Sequence, residues 1–306
     1  MGLESTMNKR ASQDLPTAWH RAGARLNLRD GAVFVRTEGD LKAGPPLLLL
    51  HGFPTSSHDF SRVWGRLALR HPLVTLDFLG FGASDKPADH GYSLFEQADL
   101  VLQAASVLGL HEVHLVAHDM GTSVATELCA RRERGLCPLK LRSVTLTNGS
   151  VLIDLAHLTT AQQILRRPLL GDLFARLSSY TVFRRSMREL FGTPDLIDDD
   201  EIELMWGLVT RAEGRARMPQ LIAYIDERKR FHRRWVGALG RLDLPSLILW
   251  GARDPVAVLA IGEGLAKIIP GARLRVLPEL GHYPQLEDPG KFASELLSFL
   301  GELPAG

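Results

Sequence analysis

The octapeptide VAHDMGTS, residues 116–123, sets an aspartate, Asp119, on a turn between an apolar run and a helix-like run. A side chain that attacks an electrophile from such an elbow needs small neighbours two positions to either side, and Ala117 and Gly121 supply them. An aspartate there has a second use, as N-cap of the helix that follows, and the octapeptide alone leaves the two readings level. Two other groups shift the balance. Asp254 in WGARDPVA and His282 in LPELGHYPQ each stand just beyond an apolar run, as Asp119 does. An aspartate in water ionises near pH 4, so it is a nucleophile at neutral pH without the help of a base. A histidine oriented by a second carboxylate can then activate water. The loop HGFP, residues 51–54, follows the run PLLLL and offers the backbone N–H of Phe53, which can pair with that of Met120 as an oxyanion hole.

Groups so far apart in the chain meet only if the ends of several elements converge. PLLLLH, LVTLDF, VHLVAH, SVTLTN, SLILWG and LRVLPE are expected as buried, mostly parallel strands, with LNLRD and AVFVRTEG as an antiparallel pair before them. Between them lie amphipathic segments such as SLFEQADLVLQAASVLGL, in which Phe95, Ala98, Leu102 and Ala105 share one helical face. The pattern predicts an α/β fold, a mostly parallel eight-stranded sheet with helices on both faces and its ligand site at the carboxyl ends of the strands. From 150 to 240 the alternation stops and the chain is helix-like, rich in Arg and Leu. That stretch is expected as a helical cap domain, with 1–149 and 241–306 as the core domain.

Composition narrows the partners. The 306 residues carry 36 basic and 35 acidic side chains, a net charge of +1, so no long-range field draws the protein to nucleic acid or anionic lipid. A small, neutral, largely apolar substrate fits that balance. Cys129 and Cys137 lack the neighbours for a metal spacing or a disulfide framework, which points to a reducing cytoplasm. The first twenty residues hold no apolar run of the signal type, and PPLLLLHGF is too short to span a bilayer, so no membrane partner is expected. The chemistry above requires no metal and no cofactor. His51 and His118 are expected to be hydrogen-bonding structural residues, and RKRFHRR, residues 228–234, a solvated helix face with Phe231 packed. Monomer and homodimer both remain open as the assembly.

Together with HGFPTSSHDF, LDFLGFGASDKP, SLFEQA, RRWVGAL and HYPQLEDP, these features resemble the α/β-hydrolases with an aspartate nucleophile, the group that includes epoxide hydrolases and haloalkane dehalogenases. Within that group they are similar to the lineage of mesoderm-specific transcript proteins and their bacterial relatives. The resemblance implies that Asp119 attacks saturated carbon to form an alkyl ester. His282, oriented by Asp254, would then activate a water that attacks the Asp119 carbonyl, with Phe53 and Met120 as the oxyanion hole. What leaves in the first step decides the substrate class. Haloalkane dehalogenases solvate the halide with a tryptophan after the nucleophile, often helped by an asparagine in the oxyanion loop. Here those positions are Met120 and Phe53, whose side chains donate nothing, and Trp206 or Trp235 in the cap is the remaining source. Epoxide hydrolases donate to the ring oxygen from two cap tyrosines. Tyr224, in QLIAYIDERKRF, stands where the ring-opening tyrosine lies, and Tyr180 is the other tyrosine of the inserted region. Hydrolysis of an epoxide to a vicinal diol is therefore expected, with haloalkane dehalogenation and a slow-turnover ligand receptor on the same fold as alternatives.

Overall fold

The computed structural model describes residues 17–304, so most of the N-terminal stretch read above lies outside the described residues. After a short helix, α1 (Ala18–Arg21), the strands β1 (Ala24–Leu28), β2 (Gly31–Glu38), β3 (Leu47–Leu50), β4 (Leu73–Leu76), β5 (Glu112–His118), β6 (Lys140–Thr147), β7 (Ser246–Gly251) and β8 (Arg273–Leu277) follow in the chain. They form one eight-stranded sheet in the order β1-β2-β4-β3-β5-β6-β7-β8. β1 pairs antiparallel with β2 and β2 with β4, while every pairing from β4 across to β8 is parallel. Each apolar run expected as a strand is one, although β1 begins at Ala24 rather than at Leu26.

The parallel strands are apolar on both faces because both faces are covered. Leu48 and Leu50 of β3 join Val113, Leu115 and Ala117 of β5 in one core layer. Leu47 and Leu49 point the other way, into a layer with Val116, Leu247 and Leu249. The second layer is closed by α2 (Ser61–Ala68) and by the last helix of the chain, through Val63, Trp64, Phe292 and Leu296. The first is closed by α3 (Leu94–Val107) and α4 (Met120–Glu133). A capping box starts α3: the Glu96 N–H donates to Ser93 Oγ at 3.1 Å and the Ser93 N–H to Glu96 Oε2 at 2.8 Å. Ala98 and Ala105 of its apolar face are buried, and Phe95 and Leu102 are half-buried against the same layer.

Among the described residues no strand lies between β6 and β7. Helices fill the interval: α5 (Thr160–Leu165), α6 (Leu170–Leu177), α7 (Tyr180–Arg188), α8 (Asp199–Thr210), α9 (Gly214–Leu221), α10 (Tyr224–Arg230) and α11 (His232–Leu239). Asp199, Asp200 and Glu201 in the first turn of α8 complement its dipole. Met187, Phe191, Ile202 and Met205 form a small core of their own, closed by Tyr283 and Leu286. After β7 come α12 (Leu259–Ile268), then α13 (Pro284–Glu287) and α14 (Pro289–Gly301) beyond β8. No helix of the described residues is long and apolar enough to cross a membrane.

Candidate active site

β5 ends at His118 and α4 begins at Met120, which leaves Asp119 alone on the turn with φ 47° and ψ −113°. Residues other than glycine avoid that conformation, and it persists only where surroundings impose it. The Asp119 side chain makes no capping hydrogen bond to α4, so the N-cap reading falls. Glycines make room for the turn. A Cβ on Gly121 would lie 2.5 Å from the carbonyl oxygen of Leu50, and one on Gly52 would lie 2.5 Å from the Asp119 Cβ. The loop after β3 thereby reaches the carboxylate, and the Phe53 N–H donates to Asp119 Oδ1 at 2.8 Å. Met120 occupies the first position of α4, so its N–H belongs to the group that a helix N-terminus leaves without intrahelical partners.

Asp254, beyond β7, and His282, beyond β8, converge on the same point. His282 Nδ1 donates to Asp254 Oδ2 at 2.6 Å, and His282 Nε2 lies 3.7 Å from Asp119 Oδ2. Asp254 is held by more than the histidine. Its Oδ1 accepts the N–H groups of Val256 and Ala257 at 2.8 and 2.9 Å, and its Oδ2 accepts the amide of Asn148 at 2.9 Å. Burial opposes its charge, but His282, that amide and the backbone donors outweigh burial and hold the carboxyl below its usual range. Burial alone would also lower the pKa of His282. Asp254 first, then Asp119 and Asp59, overturn it and raise the imidazole to about 9. Asp59 is wholly buried, takes the Thr55 hydroxyl at 2.6 Å, and is itself pushed well above the carboxylate range by burial. His118 donates from Nε2 to the His282 carbonyl at 2.7 Å, and the Phe78 N–H donates to His51 Nε2 at 3.0 Å, both structural uses.

Above this cluster lies a cavity of about 850 Å³, its open mouth included, walled on the core side by Phe53, Pro54, Val256 and His282. Its other walls come from the inserted helices and are mainly apolar, with Leu165, Phe174, Met187, Trp206 and Met218 among them. Tyr224 is buried, its ring 5.7 Å from that of Phe53, and burial together with the Asp119 charge raises its phenol far above the ordinary range. Tyr180 opens α7 and donates to the Asp199 carbonyl at 3.3 Å, and neither tyrosine is among the residues that line the cavity, although Tyr224 packs against Phe53, which does. Of the two cap tryptophans, Trp206 lines the cavity, whereas the Trp235 indole N–H is taken by Glu127 at 2.8 Å. Among the described residues no group of His, Cys, Asp and Glu is arranged to hold a metal ion.

The roles of two residues of this region escaped the sequence reading. Asn148, at the end of β6, holds Asp254, and its left-handed φ of 43° is the kind of turn that asparagine tolerates. Glu127, in the middle of α4, gathers Arg131, Arg234 and Trp235. The solvated face expected at residues 228–234 is corrected at both ends, since Arg228 is 2% exposed and Arg234 pairs with the buried Glu127. Phe231 packs as expected, 4.7 Å from Phe95 between ring centres.

Comparison with known proteins agrees with this geometry. The chain matches the alpha/beta hydrolase family over residues 47–295. It is 43% identical over 283 residues to a Mycobacterium tuberculosis protein named LipZ, covering 92% of this chain and 96% of that one. The human mesoderm-specific transcript homolog protein is 35% identical over 291 residues, covering 92% and 87%. A crystal structure of an alpha/beta hydrolase fold protein from Burkholderia ambifaria superposes with a TM-score of 0.75 at 26% identity, over 90% of this chain and 96% of that one. A buried histidine paired with aspartates at strand ends is the arrangement typical of such enzymes, and on these matches the chain belongs to the alpha/beta hydrolase family.

Proposed function

We propose that the protein hydrolyses epoxides to vicinal diols through a covalent ester on Asp119, with residues 150–240 as the cap that closes over a small, largely apolar substrate. The observation that carries the reading is the unequal setting of the two Asp119 oxygens. Oδ1 is held by the Phe53 N–H at 2.8 Å, and Oδ2 faces His282 Nε2 across 3.7 Å, too far for a hydrogen bond. The held oxygen is suited to become the ester carbonyl, and the other is free to attack.

In the first step a lone pair of Oδ2 forms a bond to an epoxide carbon, the ring C–O bond breaks, and its electron pair stays on oxygen. The Tyr224 hydroxyl gives that oxygen a proton. In the second step a water adds to the Asp119 carbonyl carbon and passes a proton to His282, while the charge on Oδ1 meets the N–H groups of Phe53 and Met120. Collapse expels the product oxygen, which takes the His282 proton. The regenerated acid of Asp119 returns a proton to Tyr224, so one water is consumed in all.

Haloalkane dehalogenation has one observation in its favour, the presence of Trp206 in the cavity wall. Against it stand Met120 and Phe53, which give a halide no side-chain donor, and Trp235, whose N–H is spent on Glu127. Diol formation and halide release measured side by side separate the two, and halide release without diol overturns the epoxide reading. In the His282→Gln variant, intact-protein mass spectrometry after exposure to an apolar epoxide is expected to find an adduct that maps to Asp119. Unmodified protein, under conditions where the wild type turns over, rules the covalent route out.

A further inference from the structure

Arg228, in α10, is a buried guanidinium whose position asks for a reason. Its side chain is 2% exposed, and among the described residues no carboxylate lies within ion-pair distance of it. Burying an unpaired cation is costly, so something at this spot must favour it. Besides a side-chain hydrogen bond with Tyr224, three contacts hold it. Nη2 donates to the backbone carbonyl of Asp119 at 3.1 Å, Nε donates to Ser123 Oγ at 2.6 Å, and the guanidinium carbon stands 4.5 Å from the centre of the Tyr224 ring. A residue of the inserted helices thus grips the strained elbow while resting on the face of the proposed proton donor.

We propose that Arg228 is the positioning residue of the alkylation step, fixing the Asp119 backbone and supplying the charge that lets Tyr224 give up its proton. This deepens the epoxide reading and rests on it. During ring opening the negative charge of Asp119 is consumed in the new ester bond, and charge appears on the epoxide oxygen and, as the proton moves, on Tyr224. A cation fixed against the Tyr224 ring face favours that redistribution, because an aromatic face attracts a cation and a phenolate attracts it far more strongly. In the second step the tetrahedral charge sits on Oδ1, which the Phe53 N–H already meets, and no new charge reaches Tyr224. The assistance of Arg228 is therefore confined mainly to the first step.

The test follows adduct formation and adduct hydrolysis separately, by rapid quench and mass spectrometry with an apolar epoxide, in the full chain. Arg228→Met, similar in length but neutral, is expected to slow adduct formation by roughly tenfold or more and hydrolysis by much less. Arg228→Lys keeps the charge and Arg228→Gln keeps a neutral donor, so Lys is expected to recover more of the rate than Gln. In a Tyr224→Phe background the Arg228→Met change is expected to lose most of its effect, as it must if the two groups act together. Circular dichroism and thermal melts identify any variant that has not folded, and the remaining pair of substitutions then decides. Equal loss in both steps, equal rates for Lys and Gln, or an undiminished effect without the Tyr224 hydroxyl each overturn this role while wild-type diol formation leaves the epoxide reading standing. A wild type that makes no diol overturns both.

Discussion

In the proposed second step His282 must be neutral to take a proton from water, yet in the resting site it is held at about 9, chiefly by Asp254 working against burial and then by Asp119 and Asp59. The proposed first step would resolve the conflict. Alkylation would turn the Asp119 carboxylate, 3.7 Å from Nε2, into a neutral ester, and one of the charges that raised the histidine would disappear when the base is needed. In single-turnover measurements, ester hydrolysis is therefore expected to rise with pH along a limb whose apparent pKa lies below about 9. Adduct formation, which uses no base, is expected to lack that limb. A common limb near 9 in both steps contradicts the argument. Stability carries the opposite sign. The folded pKa lies above the ordinary 6.5, so the contribution of the protonated ring is full below about pH 6.5 and is lost as pH rises through about 9.

At the scale of elements, chemistry depends on strand ends brought to one place by the parallel order of β3, β5, β6, β7 and β8. The loop after β3 passes so close to the elbow that Gly52 has no room for a side chain: its Cβ would lie 2.5 Å from the Asp119 Cβ and 2.8 Å from Oδ1. Gly52→Ala is accordingly expected to displace the Asp119 carboxylate, to cost about 1–3 kcal/mol of stability and to cut adduct formation by about tenfold or more in the folded variant. An adduct rate equal to wild type shows the loop to be more yielding than this packing allows. Much of this arrangement was legible beforehand, because apolar runs ended by Asp119, Asp254 and His282 carry both the strand pattern and the groups proposed to react. The inserted helices were less legible. A charged run such as RKRFHRR does not announce which of its arginines turns inward, and the partner of Arg234 is 107 residues away in α4. The sequence set Tyr224 ahead of Tyr180 by its place in a late helix, but it did not show what surrounds either ring, since periodicity fixes a helix face but not what that face is laid against.

For the molecule as a whole, one joint between core and insertion is Glu127. It lies in α4, the helix that starts at the elbow, and its side chain is 1% exposed. It accepts Arg131 Nε from its own helix at 2.8 Å, and from α11 it accepts Arg234 at 2.7 and 2.9 Å and the Trp235 indole at 2.8 Å. Burial pushes its carboxyl upward, but Arg234, Arg131 and Trp235 together hold it below the usual carboxylate range. A depressed folded pKa contributes stability that is complete above the ordinary glutamate value of about 4.3 and disappears as pH falls through the folded value. Glu127→Gln keeps the shape and removes the charge, so it is expected to cost about 1–3 kcal/mol at pH 7. The gap between variant and wild type should close as the pH is lowered and the wild-type carboxyl takes up its proton. A gap that stays constant from neutral to acid pH means that shape, not charge, holds the joint. Because Tyr224 and Arg228 ride on α10, next to α11, the same variant should also lose affinity for substrate and speed of adduct formation together, whereas hydrolysis of an adduct already formed depends on His282 and Asp254 in the core and should change least.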